Sequence, residues 1–296
     1  MTSETGTKAM QTEDTLSAEA LAPLVRNTIF SGNIQCFSQV ASTNALALEA
    51  AGEFFAGHEG SAEGAAFLAD EQTAGRGRAG HSWHSERGTG IYASFLHRPP
   101  MSPADALWLS LLAAVAVQDA VRETTGLQAD IRWPNDMLLH EKKFSGILTE
   151  MSSEATRVQH AVIGIGINVN QRSLPADLET PGTSLLLETG KEWPRLELAG
   201  ALIRAVDREY RALVRAMSGP IRTPTLRFEP LMKRVESRSS YARGKQVHVD
   251  EDGGYTGVTD GLDPRGFLRV RTGKGLRIVV SGSVRPLAGR NDAAGS

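Results

Sequence analysis

Residues 70–80, Asp70-Glu71-Gln72-Thr73-Ala74-Gly75-Arg76-Gly77-Arg78-Ala79-Gly80, are the most informative segment of this chain. Its three glycines allow backbone conformations that a Cβ forbids, so the segment can wrap closely around a ligand. Its two arginines offer rigid forks of donors that match phosphate or carboxylate oxygens. The glycine spacing and the absence of a following Lys-Ser/Thr separate it from a P-loop or a GxGxxG turn. Two interpretations fit equally: a loop that binds an anionic small molecule, and a solvated basic surface loop of the kind also found in nucleic-acid-binding segments.

Four further segments decide between these interpretations. They are Ser42-Thr43-Asn44, Arg132-Trp133-Pro134-Asn135-Asp136, Lys142-Lys143-Phe144-Ser145-Gly146-Ile147-Leu148 and Gly164-Ile165-Gly166-Ile167-Asn168-Val169-Asn170. Together with the arginine loop, and in this order, they resemble the catalytic domain of biotin protein ligases, over a span from about Cys36 to Leu287. The resemblance implies a fold similar to that of class II aminoacyl-tRNA synthetases, followed by a small SH3-like domain.

Composition agrees with a soluble enzyme. A chain of 296 residues, 41% of them hydrophobic, is long enough for one large and one small domain. Its net charge of −2 argues against a dedicated nucleic-acid binder. A single cysteine, Cys36, cannot form an internal disulfide, which favours the cytoplasm. No run of 18 apolar residues and no signal peptide are visible, so we expect no membrane span.

The chain is expected to divide into four parts. Residues 1–30 form a tail and lead-in, 31–234 the catalytic domain, 235–288 the SH3-like domain, and 289–296 a second tail. The stretch from Met1 to about Ala18 is rich in Thr, Ser and Glu, which is typical of disorder. Some relatives carry an N-terminal helix-turn-helix repressor, which needs about three helices. The lead-in has room for one, near Leu16–Val25, so we expect a ligase without a repressor.

The middle part predicts an α+β fold, with helices on a mostly antiparallel sheet. Helices are indicated after Ser42-Thr43, from the Ser102-Pro103 start, and around Leu198–Leu213. Strand signals cover residues 34–39, 65–69, 91–97, 146–151 and 159–169. Towards the C-terminus, short strand signals at 245–249, 255–259, 267–270 and 276–280 alternate with Gly- and Asp-containing turns. This pattern predicts a small barrel beginning near Val235.

The resemblance implies a two-step reaction. The biotin carboxylate attacks the α-phosphorus of ATP, which gives biotinyl-5′-AMP and pyrophosphate, and a lysine of a biotin carboxyl carrier protein then displaces AMP. Two unit charges about 4 Å apart repel by roughly 4 kcal/mol at an effective dielectric of 20, so the first step needs fixed positive charge. Lys143, Arg76 and Arg78 are the candidates for catalytic residues.

The resemblance also assigns binding roles. Residues expected at biotin are Ser42, Thr43, Asn44, Gln72, Arg76, Lys143 and Gly146, and those expected at ATP are Arg78, Trp83, Asn135, Lys143 and Asn168. Asp136 suits either Mg²⁺ or the orientation of Lys143. Ser42-Thr43-Asn44 can also serve as a helix cap, and Trp83 can equally be a core residue. Lys142 is expected to point away from Lys143 if the segment is extended.

Several features are given less weight. His81 and His84 lack further ligands at metal spacing, Cys36 lacks a basic partner, and Asp70 and Glu71 should face opposite ways on a strand. Two other functions remain open. One is a lipoate or octanoate ligase of the same fold, and the other is a non-enzymatic biotin-sensing regulator. A homodimer is a further expectation, whereas DNA and membrane partners are not expected.

Overall fold

The computed structural model describes residues 14–55, 63–176, 178, 180–219 and 227–287. The helices are α1 (Ala18–Leu21), α2 (Thr43–Phe55), α3 (Leu107–Thr125), α4 (Leu185–Thr189), α5 (Arg195–Ser218) and α6 (Glu229–Ser237). The strands of the first sheet are β1 (Ile34–Phe37), β2 (Ala65–Ala69), β3 (Gly90–His97), β4 (Asp130–Arg132), β5 (Asp136–Leu139), β6 (Lys142–Ser153) and β7 (Val158–Asn168). The strands of the second sheet are β8 (Arg243–Val249), β9 (Tyr255–Leu262), β10 (Leu268–Thr272), β11 (Gly275–Val279) and β12 (Val284–Pro286).

The first sheet has seven strands in the order β1-β2-β3-β7-β6-β5-β4. Only the β1–β2 pair among them is parallel, which confirms the predicted α+β class with a mostly antiparallel sheet. Strand β3 is buried at all eight positions, because structure covers both faces of the sheet at its centre. The loop with Arg76 and Arg78, Thr73–Gly80, follows β2 and is called the basic loop below. Two of the other predicted motifs lie on β6 and β7, which pair with each other.

Helices α3 and α5 pack against each other and form much of the core beside this sheet. The segment Pro103–Thr125 is long and apolar enough to cross a membrane, but 67% of its apolar 18-residue stretch is buried inside the protein, as in a core helix. The helical segment does start at Ser102-Pro103, but its first turn, Pro103–Asp105, is 3₁₀ and the regular helix α3 begins at Leu107. The Ser102 hydroxyl donates to Asp105 Oδ2 (2.9 Å) within that turn.

The lead-in is an integral part of the large domain. Asp14 accepts hydrogen bonds from Arg195 Nε (3.2 Å) and from the Leu196 amide (3.1 Å), and Leu16 is buried in the core. The predicted disorder is therefore wrong for residues 14–18, because an ion pair and apolar burial fix them. The rest of that tail, 1–13, and the second tail, 289–296, lie outside the described residues.

The second sheet is antiparallel throughout, in the order β11-β10-β9-β8-β12. All four predicted strands are present, and the short β12 is an addition that the sequence pattern missed. This sheet joins the first domain through Trp133, whose Nε1 donates to the carbonyl of Gly266 (2.9 Å). The boundary predicted near Val235 falls within α6 and stays a prediction.

Strands β4 and β5 were also missed, and β6 begins at Lys142 rather than at Gly146. The Trp133-Pro134 turn joins β4 to β5. Strands β5 and β6 then form a hairpin that carries Asp136 and Lys143. This hairpin brings two of the predicted motifs into direct contact.

Candidate active site

Ten of the twelve predicted site residues line one pocket, which opens between β6, β7, the start of α2 and the basic loop. They are Ser42, Thr43, Asn44, Gln72, Arg76, Arg78, Trp83, Asn135, Lys143 and Gly146. Asp136 adjoins the pocket through Lys143, and Asn168 lies elsewhere. The five motifs, which are spread over residues 42–170, therefore meet around one pocket.

A hydrogen-bonded polar cluster forms one end of the pocket. Gln72 Oε1 accepts from the backbone amide of Thr43 (2.9 Å) at the N-terminus of α2. Ser94 Oγ lies 2.7 Å from Thr43 Oγ1 and 2.5 Å from Asn44 Oδ1. Ser94 was missed by the sequence reasoning, although a serine within the apolar run of β3 was an available signal. The arrangement fixes several polar atoms in a buried setting, as recognition of a small polar ligand requires.

Asn44 connects this polar end to the basic loop. Its Nδ2 donates to Glu150 Oε2 (2.8 Å), and the same carboxylate oxygen accepts from Arg76 Nη2 (3.0 Å). Arg76 thus has a carboxylate partner within the chain. Glu150 lies 74 residues further along the chain, on β6, so no local pattern could have identified it.

Trp83 lies against a pair of glycines on the sheet. Gly146 and Gly166 are cross-strand partners on β6 and β7, and a Cβ on either would come within 2.9 Å or 2.4 Å of the indole. The glycines are thus needed so that this ring can contact the sheet. The indole Nε1 is buried and has no hydrogen-bond partner among the described residues. Of the two roles left open for Trp83, lining the pocket is the one that the geometry supports.

A β-bulge places Lys143 on the pocket side of β6. The register pairs Met137 with Ser145 but Leu138 with Lys143, so Phe144 is an extra residue. In a regular strand, Lys143 and Gly146, three positions apart, would face opposite sides of the sheet, and the bulge brings them to the same side. Lys143 instead lines the pocket, with its Nζ 5.5 Å from the centroid of the Trp83 ring.

Lys142 points elsewhere, as predicted, and donates to Glu188 Oε1 (3.1 Å) outside the pocket. Lys143 Nζ instead pairs with Asp136 Oδ1 (2.6 Å). The two neighbouring lysines therefore make a matched pair for experiment, because they share their chemistry and differ in surroundings.

Both carboxylate oxygens of Asp136 contact basic side chains. Lys143 contacts Oδ1, and the Arg132 guanidinium contacts Oδ2 through Nη2 (2.5 Å) and Nε (3.2 Å). Burial opposes ionisation, but the charges of Lys143 and Arg132 outweigh it and hold the pKa of Asp136 below its usual value. Of its two predicted roles, the orientation of Lys143 fits this geometry and a protein-held Mg²⁺ does not. No group of three or more metal-ligating side chains occurs among the described residues.

Arg78 occupies the same side of the pocket as Lys143. Its Nη1 donates to Asn135 Oδ1 (3.1 Å), while Asn135 Nδ2 donates to the carbonyl of Ile147 (3.0 Å). Ala79, the next residue, has a φ of 53°, which side-chain-bearing residues seldom adopt. Arg76, Arg78 and Lys143 thus bring three cationic groups to this part of the pocket, two of them paired with the carboxylates Glu150 and Asp136.

Asn168 is not among the residues that line the pocket. It is buried at the end of β7, where its Nδ2 donates to the carbonyl of Thr183 (3.0 Å) and its Oδ1 accepts from Gln171 (3.4 Å). These contacts hold the segment that follows the strand. The role of Asn168 at ATP stays a prediction.

Cys36 and the Asp70–Glu71 pair behave as expected. Burial, followed by the charges of Asp70 and Glu19, raises the pKa of the Cys36 thiol to about 11, so this residue packs rather than reacts. Asp70 pairs with Arg195 (2.8 Å), whereas Glu71 lies near Arg87 (3.8 Å). These two carboxylates therefore have separate partners.

Comparison with known proteins agrees with the fold and the pocket. Residues 51–168 match the Biotin/lipoate A/B protein ligase family, and residues 244–285 match the Biotin protein ligase C terminal domain. The biotin--[acetyl-CoA-carboxylase] ligase of Paracoccus denitrificans is 32% identical over 82% of this chain and 96% of its own length. The bifunctional ligase/repressor BirA of Bacillus subtilis is 37% identical over 75% of this chain, and the match spans 66% of that relative.

A solved structure, the biotin protein ligase of Aquifex aeolicus in complex with biotin and ATP, is also similar. It has a TM-score of 0.68 and 31% identity, over 86% of this chain and all of the other. The fold and pocket thus define a member of a family of ligase enzymes. The chain belongs to the biotin protein ligase family.

Proposed function

We propose that this chain is an ATP-dependent biotin–protein ligase that forms biotinyl-5′-AMP and transfers biotin to a lysine of a biotin carboxyl carrier protein. The observation that supports this proposal most is that a polar end and a cationic end belong to the same pocket. A buried polar cluster at one end adjoins three cationic side chains, Arg76, Arg78 and Lys143, at the other. Biotin has a neutral polar ring and a carboxylate tail, and ATP is a polyanion. The polar end suits the ring, and the cationic end suits the carboxylate and the phosphates.

The cationic end supports the first step. A biotin carboxylate oxygen attacks the α-phosphorus of ATP, the new P–O bond forms, and the bond to pyrophosphate breaks. Each of the three cations now contacts an acceptor within the chain: Glu150, Asn135 or Asp136. Ligand oxygens can replace or join these acceptors, because charge-assisted bonds to phosphate and carboxylate are geometrically equivalent.

The second step needs an acceptor amine and protection of the mixed anhydride. The lysine amine attacks the acyl carbon, the C–O bond to AMP breaks, and the amine loses a proton. The basic loop, Thr73–Gly80, is placed to cover the pocket and limit hydrolysis. The orphaned indole N–H of Trp83 offers a further donor to a bound ligand.

Mg²⁺, in this proposal, accompanies ATP and is held chiefly by phosphates and water. Asp136 is committed to Lys143 and Arg132 and does not fit as its ligand. The acceptor is expected to be the carrier domain of a biotin-dependent carboxylase, and the compartment the cytoplasm. A homodimer also stays a proposal.

The test is biotin-dependent exchange of labelled pyrophosphate into ATP, with lipoate and octanoate as parallel substrates. We expect exchange with biotin and little with the two aliphatic acids, because Thr43 and Asn44 line the pocket with polar groups that those chains cannot use. Exchange that requires lipoate or octanoate would instead support the alternative ligase. Tight biotin binding without exchange would support a non-enzymatic sensor.

A further inference from the structure

The turn between β5 and β6 has an uncommon backbone. His140 and Glu141 both have positive φ, 48° and 64°, in a two-residue hairpin connection. Such turns favour Asn or Gly, because a Cβ is disfavoured in this conformation. The turn therefore persists through contacts that its side chains make with the rest of the molecule.

Glu141 makes the contacts that reach the second sheet. Its Oε1 accepts from Lys245 Nζ (2.7 Å), and its Oε2 accepts a hydrogen bond from the hydroxyl of Tyr241. Tyr241 is buried at the start of the C-terminal domain, and the Lys245 ammonium lies 4.8 Å from the centre of its ring. Glu141 thus joins the tip of the hairpin to the C-terminal domain.

The same hairpin carries Lys143, the cation that the proposed function places at the biotin carboxylate and the α-phosphate. Lys143 is two residues beyond Glu141, and its orientation depends on the bulge at Phe144 and on Asp136, on the opposite strand. The hairpin is near the edge of the sheet, where only β4 lies beyond it. Its tip is thus held by side-chain contacts rather than by a continuous sheet on both sides.

We propose that Glu141 is a positioning residue for Lys143, through which the C-terminal domain fixes the hairpin in its productive geometry. This inference rests on the proposed function, because it assumes that Lys143 acts on the carboxylate and the α-phosphate. Glu141 itself contacts no substrate in this account. A misplacement of about 1 Å can lower the rate of a positioned reaction by roughly a hundredfold, so loss of the anchor should reduce turnover.

Backbone contacts offer a rival explanation for the placement of Lys143. Its amide donates to the carbonyl of Pro181 (2.8 Å), and its carbonyl accepts from the amide of Thr183 (2.9 Å). If these bonds alone fix Lys143, then the Glu141 anchor contributes to stability and not to turnover. The two explanations differ in what happens to kcat when the anchor is removed and the fold is intact.

The experiment compares purified full-length variants. Glu141→Met removes both contacts at similar side-chain length, and Glu141→Gln retains an acceptor oxygen. Lys245→Met removes one partner from the C-terminal side. Arg243→Met is the matched control, because Arg243 lies on the same strand and pairs instead with Glu236 (3.1 Å).

Two readouts are needed: the kcat and KM of biotinyl-AMP formation, and hydrogen exchange of the amides in residues 137–145. We expect Glu141→Met to lower kcat by about tenfold with KM for biotin and ATP within about twofold of wild type. Glu141→Gln should recover most of the rate, and Lys245→Met should resemble Glu141→Met in part. Amide exchange of the hairpin should rise in step with the loss of rate.

A wild-type kcat in Glu141→Met at temperatures where it is folded would overturn the proposal. An equal loss in Arg243→Met would also overturn it, since the effect would then reflect general stability. If amide hydrogen exchange in residues 137–145 is unchanged in the Glu141 and Lys245 variants, then Glu141 does not hold the hairpin, whatever the rates are. Absence of biotinyl-AMP formation in the wild-type protein would instead contradict the proposed function, so the two failures are distinguishable.

Discussion

Replacement of Lys143 by Met should remove the charge that acts during adenylation and leave the fold intact. Methionine keeps most of the side-chain length beside Gly146, while Asp136 retains its bonds to Arg132. A unit charge about 4 Å from the reacting oxygens contributes roughly 4 kcal/mol at an effective dielectric of 20, equivalent to about a thousandfold in rate. The Lys143 side chain is 26% exposed, so solvent screening lowers the expected loss to between about a hundredfold and a thousandfold.

The assay is single-turnover formation of biotinyl-AMP, with Lys142→Met as the matched control. Lys142 pairs with Glu188 outside the pocket, so its loss should change the rate by less than about twofold. Circular dichroism and thermal unfolding check that both variants are folded. A Lys143→Met rate within a factor of about three of wild type, or an equal loss in Lys142→Met, would refute the role assigned to Lys143.

Three further predictions address the loop, the pocket and the core. Glu150→Gln weakens the contact with Arg76 in the basic loop, so it should speed tryptic cleavage within Thr73–Gly80. Biotin with ATP should slow this cleavage in the wild type and in the variant. Cleavage that ligands leave unchanged would show that the loop does not close over the pocket. Gly164→Ala should raise KM for biotin at least about tenfold, because its Cβ would lie 2.1 Å from Asn44 Oδ1, whereas Gly273→Ala, with open space around it, should have no effect. Burial lowers the pKa of His97 from 6.5 to about 3, so an unfolded chain takes up a proton that the folded chain refuses. Stability is therefore lost as pH falls below about 6.5, and urea unfolding of His97→Phe should show a loss between pH 7 and pH 5 that is about 2 kcal/mol smaller than that of wild type; equal losses would contradict this.

The motifs that can be predicted from sequence are those whose chemistry is local. The glycines and arginines of residues 70–80 indicate an anion-binding loop, and strand alternation separates Lys142 from Lys143. The long apolar strands β3 and β7 were found because their pattern is sustained. Strands β4 and β5 were missed because three or four residues beside a Trp-Pro turn carry little periodic signal.

Contacts across the sheet could not be predicted from spacing. Glu150 meets Arg76 because the folded sheet brings β6 next to the basic loop. Ser94 acquires its role from the approach of α2, and the bulge at Phe144 follows from pairing between β5 and β6. Asn168 shows the same limit, since its bonds to Thr183 and Gln171 depend on how the segment after β7 folds back. Each case depends on tertiary pairing that a single chain sequence does not specify.

Mass spectrometry of a biotin carboxyl carrier domain tests the central claim most directly. The domain is incubated with biotin and Mg·ATP together with the wild-type chain, with Lys143→Met, or with no enzyme. The proposed function predicts that the wild-type chain adds one biotinyl group to one lysine of the domain, and that the variant adds it at least about a hundredfold more slowly. The proposed function would be contradicted if the carrier domain kept its original mass in the presence of folded wild-type protein. It would also be contradicted if the domain gained lipoate instead when biotin and lipoate are both offered.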